Sequence, residues 1–417
     1  MIDKDKSKVK KSEIFGWCLF DFANSSYATV IITAIYPTFF VSYIAPSGKG
    51  DFLWGIATAI AHVFVVILSP LIGVLSDIQK NKKKYLVITT LICVFFTGLL
   101  YFPGKGMVFW SILFVAISFT AFSLTENLIS SFLPEIAPPE KMGKISGYGW
   151  AFGYVGGILS LFICVIIMEK LQFPLGVKIS MPVTALFFLI PSFITFILLK
   201  EKKSGFHDFE KKKHIFRRAY RRLSETLRNT QENKNLFRFL FSFFLFSCGI
   251  SIAITFSAIY AQEELNFGMR ELLVLIIGIN LLASIGAFSF GFLQDKIGAK
   301  KTVIITLIIW CVSVGGILFS RTKGSFYLCG SLIGIALGST QSSSRALVGI
   351  LTHEDRSGED FGLWGFAGKI AFIVGSISYG FTAYISQSRR IAVLFTLAFF
   401  IAGLITALRI QIIPKKI

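Results

Sequence analysis

Four charged residues lie inside apolar stretches of this 417-residue chain, and their types and depth could support chemistry. They are the acids Asp21 and Glu126 and the bases Arg345 and Lys369. A charge at the centre of a membrane helix costs about 2.5 to 3.5 kcal/mol, so such residues indicate a functional role. Counted from the ends of the predicted spans, all four lie at about the same depth. Two acids and two bases at one depth can neutralise one another.

Three interpretations of these charges are open. The acids of the first half could pair with the bases of the second half as an inner gate. The four residues could instead bind a zwitterion, with a base on its carboxylate and an acid on its ammonium group. Packing within one half is the third interpretation. The uncharged members of the same candidate set are Asn24, Asn127 and Gln341.

The elements that must position these residues are long apolar segments. Apolar side chains make up 54% of the chain and charged side chains 16%, which argues against a soluble enzyme. A run of about 20 apolar residues spans the hydrocarbon layer, and backbone groups in lipid must be satisfied within the segment, so each run predicts a helix. The twelve predicted spans are 15–44, 53–75, 85–102, 107–131, 146–168, 180–199, 237–261, 272–293, 302–320, 326–346, 362–385 and 391–412.

The basic residues predict the orientation of these spans. Of the 42 Lys and Arg residues, 32 lie on the side of both termini and 9 on the opposite side, which predicts cytoplasmic termini. The net charge of +19 therefore does not require a nucleic-acid partner. All six cysteines lie in apolar segments without a CxxC motif, and nucleotide-binding motifs are absent from the sequence. We expect no metal, no cofactor and no ATP-driven pump.

A duplicated motif divides the spans into two sets of six. It follows the second and the eighth spans at an offset of 218, and a second match places Glu126 on Gln341 and Gly147 on Gly362 at an offset of 215. Parallel repeats of this kind are typical of secondary transporters. The motif residues are Gly73, Asp77, Lys82 and Lys83 in the first copy and Gly291, Asp295, Lys296, Lys300 and Lys301 in the second.

Each copy of the motif predicts a conformational latch. Its aspartate ends a helix and can reach the N-terminal amides of a neighbouring helix, while its lysines anchor the next span at the lipid headgroups. Such a contact can break and reform. Glu126 is our candidate for a proton-coupling carboxylate, because its repeat mate Gln341 cannot titrate.

The repeat and the charge pattern predict three regions. Residues 1–199 and 237–417 form the two six-helix bundles, and residues 200–236 form a cytoplasmic basic linker. Within the linker, Ile215, Ala219 and Leu223 recur at helical spacing among arginines, which predicts an amphipathic helix suited to an anionic leaflet. The helix could be a plain linker or could have a regulatory, lipid-sensing role.

Several motifs resemble those of known transporters. The segment Gly291 to Lys301 resembles the loop signature of the major facilitator superfamily, whose fold is twelve helices in two bundles. The segments Trp17 to Ala28, Leu133 to Tyr154, Gly338 to Arg345 and Phe361 to Lys369 resemble the branch of the fungal autophagy-related vacuolar effluxers and their bacterial relatives. For the fungal members, the resemblance implies export of amino acids from the vacuole.

Together these features predict an all-α polytopic membrane protein that is not an enzyme. We expect a monomeric secondary transporter in a bacterial cytoplasmic membrane, with the lipid bilayer, a small solute and protons as its partners. Amino acid export is the first substrate hypothesis. The alternatives are efflux of drugs or metabolites and a membrane sensor that does not transport.

Overall fold

The computed structural model describes residues 10–201, 215–228, 230 and 233–411. This part of the chain is helical and contains no strand, as the apolar spans predict. Most of the long helices extend beyond the predicted spans into the loop sequence. They are α1 (Lys11–Ile44), α2 (Gly50–Ile78), α3 (Lys82–Leu99), α4 (Val108–Ser130), α5 (Met142–Lys170), α6 (Leu175–Leu198), α7 (Lys234–Leu265), α8 (Met269–Ile297), α9 (Ala299–Phe319), α10 (Lys323–Leu351), α11 (Ser357–Ser386) and α12 (Arg389–Leu408).

Ten helices in the described ranges are long and apolar enough to cross a membrane. Helices α3 and α10, which lie where the third and tenth spans are predicted, are not among them. Three lysines open α3, and glycines and serines dilute the apolar content of α10. The total of twelve spans and the cytoplasmic location of the termini therefore remain predictions.

The outer surface of the helices carries large apolar side chains. Phe95, Phe162 and Phe319 are 62%, 61% and 84% exposed. Exposed aromatic side chains on three of the long helices suit contact with lipid, because a water-exposed surface would not keep so much apolar area uncovered.

The chain forms two compact units, and each unit includes a short piece from the other half of the sequence. Unit 1 consists of Met1–Pro138, Phe152–Leu223 and Glu354–Gly365, and unit 2 consists of Pro139–Ala151, Ser224–His353 and Phe366–Ile417. The start of α11 therefore belongs to unit 1, and the start of α5 belongs to unit 2.

The helix pairs of the first set recur in the second set. Helix α1 packs against α6 and α4, and α7 packs in the same way against α12 and α10. Helix α4 packs against α2 and α3, and α10 packs against α8 and α9. The duplication seen in the sequence is thus a duplication of helix packing.

The predicted linker helix is present as Ile215–Arg228. Ala219 is fully buried and Leu223 is half-buried, but Tyr220 is 72% exposed. Lys211, Lys212 and Lys213 of the predicted linker lie outside the described residues.

Candidate functional site

Asp77 lies in the last turn of α2, and its carboxylate lies at the N-terminus of α11. Its Oδ1 accepts a 3.0 Å hydrogen bond from the amide of Gly358, and its Oδ2 accepts a 2.8 Å hydrogen bond from the amide of Glu359. The first amides of a helix have no partner within the helix, and the helix dipole favours a negative charge there. We call this arrangement the first helix-end contact. It lies within unit 1.

Lys82 balances the negative charge of the first helix-end contact. Its Nζ lies 2.7 Å from Glu135 Oε1 and 3.6 Å from Asp77 Oδ1, and it also donates to Ser357 Oγ. Lys82, Glu135 and Asp77 are all less than a tenth exposed. Because buried charges are costly unless paired, these three side chains stabilise one another only while they stay together.

Backbone contacts at the start of α3 add a further carboxylate. Glu201 Oε1 accepts a 2.6 Å hydrogen bond from the Lys82 amide, and its Oε2 accepts one of 3.3 Å from the Lys83 amide. Burial raises the pKa of the Glu201 carboxyl above its usual range, and the two amides oppose that rise. The Lys83 Nζ donates to the carbonyl of Leu199 at 2.9 Å.

Glycine at two positions allows α2 and α11 to approach closely. A Cβ on Gly73 would clash with the carbonyl of Gly358, and a Cβ on Gly362 would lie 2.7 Å from the carbonyl of Ser69. Small residues of this kind let helix backbones come together in membranes. Because Gly73 has no side chain, α2 and α11 can come close enough to form the first helix-end contact.

Unit 2 contains the second helix-end contact, between α8 and the start of α5. Asp295 Oδ1 accepts from the amide of Gly143 at 2.9 Å, and its Oδ2 accepts from the amide of Lys144 at 3.2 Å. A Cβ on Gly291 would lie 2.8 Å from the Gly143 carbonyl, so this helix pair is also close. The same chemistry thus occurs at repeat-related positions.

The lysines of the second motif copy lie in more open surroundings. Lys296 and Lys301 are exposed, and Lys300 is half-buried. The Lys300 Nζ donates to the carbonyl of Leu408 at 2.8 Å. This lysine lies at the position that Lys82 occupies in the first copy, but it contacts a carbonyl rather than a buried carboxylate pair. The two contacts therefore differ in their charge environment.

The candidate polar residues of the first half lie in unit 1. Asp21, Asn24 and Asn127 are buried, and Glu126 is half-buried. Asn127 Nδ2 donates to Ser69 Oγ at 2.6 Å, and that hydroxyl donates to the Gly362 carbonyl at 2.9 Å. Asn127 is thereby joined, through Ser69, to α11 one turn beyond the first helix-end contact.

The candidate polar residues of the second half lie in unit 2. Arg345 is 3% exposed, whereas Gln341 and Lys369 are half-buried. The Arg345 guanidinium donates from Nε to Ser146 Oγ at 3.2 Å and from Nη2 to the Ser146 carbonyl at 3.0 Å. It also lies 5.3 Å from the ring centre of Trp150, within cation–π range. A cation is thus held at a defined place inside unit 2.

Several residues of these contacts are missing from the sequence-based candidate set. Glu135, Glu359 and Ser146 lie next to predicted loops or at span ends, where polar residues are common. The segment Glu140 to Lys144, which leads into α5, is a polar turn that contains Gly143, and such a turn is typical of a helix start. Within the described ranges, no group of three His, Cys, Asp or Glu residues is arranged to hold a metal ion.

Comparisons with known proteins agree on the class of this chain. The family profile described as "Vacuole effluxer Atg22 like" matches residues 54–415. The chain is 25% identical over 398 residues to the uncharacterized MFS-type transporter YxiO of Bacillus subtilis (strain 168), covering 94% of this chain and 92% of that protein. It is 22% identical over 284 residues to autophagy-related protein 22 of Kluyveromyces lactis, covering 63% and 57%.

Solved structures show the same fold. A bacterial homologue of the iron transporter ferroportin, in an outward-facing state, matches with a TM-score of 0.74 at 15% identity, covering 96% of this chain and 99% of that one. The proton:xylose symporter XylE matches with a TM-score of 0.73 at 13% identity, covering 94% of both chains. The fold is that of the major facilitator superfamily, and the profile match and the named relatives show that the chain belongs to the Atg22-like vacuole effluxer family within it.

Proposed function

We propose that this membrane transporter exports a small solute by alternating access, with amino acids as the solute class and protons as the coupling ion. We place it in a bacterial cytoplasmic membrane as a monomer with both termini in the cytoplasm. Its two bundles would correspond to residues 1–199 and 237–417, joined by the linker 200–236.

The pair of helix-end contacts carries this proposal. Asp77 and Asp295 each bind two backbone amides at the start of another helix. Water can replace the hydrogen bonds of each contact when it opens, so we propose that the contacts break and reform during transport. A transporter that alternates between two states needs elements of this kind at its moving helix ends.

Arg345 supports the choice of a solute with a carboxylate. Its guanidinium is buried in unit 2 and is oriented by Ser146 and Trp150. A planar guanidinium binds a carboxylate through two parallel hydrogen bonds. We propose that Arg345 binds the carboxylate of the solute and that Glu126 of unit 1 loads and releases the coupling proton. Asp21, Asn24, Asn127, Gln341 and Lys369 complete the proposed substrate or gate set.

Solute flux tests the proposal. Purified protein in liposomes should accumulate a labelled amino acid when a proton gradient is imposed, without ATP, and collapse of the gradient should stop accumulation. A thermal-shift screen against amino acids, peptides, sugars and nucleosides selects the solutes, because a ligand that binds only the folded state raises its apparent stability. Flux driven by ATP alone would contradict the proposal.

An apolar cavity in unit 2 favours a second candidate function, efflux of drugs or apolar metabolites. The room for a water-sized molecule is about 40 Å³, within an opening of about 400 Å³ that includes solvent. Phe256 and Tyr379 stack at one wall with ring centres 4.1 Å apart. Its lining residues are Ile252, Ala253, Phe256, Ser257, Tyr260, Val314, Ile317, Phe326, Ile333, Tyr379, Val393 and Thr396. Competition between amino acids and an apolar cation for the same flux separates the two candidates.

A further inference from the structure

The linker helix packs against unit 1 beside the first helix-end contact. Ala219 is fully buried and packs with Val74 and Leu75 of α2, while Leu223 packs against the same cluster. Val74 and Leu75 lie within one turn of Asp77. Ala219 and Leu223, two residues of the apolar side of this helix, are therefore covered by unit 1.

Arg222 joins the linker helix to the start of α11. Arg222 Nε donates a 2.8 Å hydrogen bond to Glu359 Oε2, and the Glu359 side chain is fully buried. The backbone amide of the same Glu359 donates to Asp77 Oδ2. Glu359 is thus bound to α2 through its backbone and to the linker helix through its side chain.

The repeat offers no equivalent acid in unit 2. At the offset of 215, Glu359 corresponds to Lys144, whose amide donates to Asp295. Lys144 is a base, so it cannot pair with an arginine as Glu359 does, and its Nζ lies 4.6 Å from the ring centre of Phe292. An arginine contact of this type therefore suits the first helix-end contact and not the second.

We propose that Arg222 is a positioning residue that holds the start of α11 on Asp77, so that the linker helix sets how often the first helix-end contact opens. The ion pair with Glu359 holds the start of α11 beside α2, so it favours the closed contact. A contact made more strongly in one of two states shifts their balance by its differential free energy. The inference rests on the proposed function, because it assumes that this contact opens during transport.

Hydrogen exchange at the two contacts tests the proposal directly. The amides of Gly358 and Glu359 are protected by Asp77, and those of Gly143 and Lys144 by Asp295. In the full chain in lipid nanodiscs, Arg222→Gln should speed exchange of the 354–365 peptide about 5- to 20-fold and leave the 139–151 peptide unchanged. Arg222→Lys, which keeps the charge, should restore part of the protection.

A matched control and a double variant complete the design. Arg218→Gln removes the same charge from an exposed position on the same helix, so its exchange should equal that of the wild type. Arg222→Gln combined with Glu359→Gln should open the contact no more than Glu359→Gln alone, since both changes remove one interaction.

Two results would overturn the inference. One is wild-type exchange of the 354–365 peptide in Arg222→Gln, and the other is equal acceleration at both contacts, which would indicate general loosening. Liposome flux is measured separately on the same preparations. If Arg222→Gln alters exchange but the wild type shows no flux, the transport proposal is wrong and Arg222 remains a positioning residue. If the wild type shows flux but Arg222→Gln leaves exchange unaltered, only the positioning role of Arg222 is wrong.

Discussion

Asp77 Oδ2 accepts a 2.8 Å hydrogen bond from the amide of Glu359, a residue 282 positions later in the chain. The hydrogen bond joins the last turn of α2 to the first turn of α11, where the helix dipole favours the carboxylate. Its repeat counterpart, from Lys144 to Asp295, is 3.2 Å long. The chain therefore makes the same kind of carboxylate-to-amide contact at two repeat-related positions.

We expect Asp77→Asn to open the first helix-end contact while the fold stays intact. The amide side chain loses the charge and can accept only through its oxygen, so one of the two backbone amides loses its acceptor. The loss is about 1 to 2 kcal/mol, by the magnitudes of charge–dipole interactions and charged hydrogen bonds. Cysteine accessibility from the cytoplasm should rise and solute cycling should slow.

Asp295→Asn serves as the comparison, since it removes the same group from the second contact. If the two contacts respond to different states of the cycle, the two variants should shift accessibility in opposite directions. Unchanged accessibility and unchanged flux in Asp77→Asn would show that the contact is not a latch.

Much of this arrangement could be predicted from the sequence. The duplicated aspartates follow apolar helices and precede basic loops, so a carboxylate at a helix start was a physical expectation. The partners were not predictable, because Glu135, Glu359 and Arg222 are polar residues at span ends, and many such residues only face water. Glu359 is 137 positions from Arg222 and 282 positions from Asp77, and one sequence carries no signal for pairs so far apart.

The sequence also does not predict which residues of the linker helix are buried. Tyr220 lies one residue from Ala219, which turns it by about 100° around the helix. Ala219 is buried against α2 and Leu223 packs against the same cluster, whereas Tyr220 stays exposed.

We expect Gly147→Ala to destabilise the protein by about 1 to 3 kcal/mol, as overpacking typically does. A Cβ there would lie 2.6 Å from the Ala287 carbonyl and 3.1 Å from the Gly291 Cα, and backbone on α8 cannot move aside easily. Gly315→Ala in α9 is the matched control, because nothing lies within 4 Å of its Cβ. There, alanine should be neutral or stabilising by helix propensity. Thermal unfolding of both variants checks the difference, and equal melting temperatures would contradict close packing at Gly147.

We expect Arg345→Gln to raise the KM for amino acids roughly 10- to 100-fold, since a hydrogen bond to a charged group contributes about 1.5 to 3 kcal/mol. The KM for amino acid amides, which lack the carboxylate, should change little. Uptake kinetics with both solutes provide the measurement. An equal rise in KM for amino acids and their amides would show that Arg345 stabilises unit 2 and does not bind the solute carboxylate.

We expect Glu126→Gln to abolish proton-driven accumulation and to permit exchange of solute across the membrane. Glutamine keeps the size of the side chain but cannot carry the proton. Accumulation and counterflow measured from about pH 5.5 to about pH 8, a range that contains the pKa of carboxyls raised by burial, would separate coupling from translocation. A pH dependence equal to that of the wild type would remove Glu126 from the coupling step.

Counterflow in proteoliposomes tests the central claim most directly. Vesicles loaded with the solute that stabilises the protein best are diluted into labelled solute, without ATP, and the wild type is compared with Asp77→Asn at equal protein. The account predicts rapid labelling with the wild type, slower labelling with Asp77→Asn, and none in vesicles without protein. Equal labelling in all three would contradict transport by alternating access in this chain.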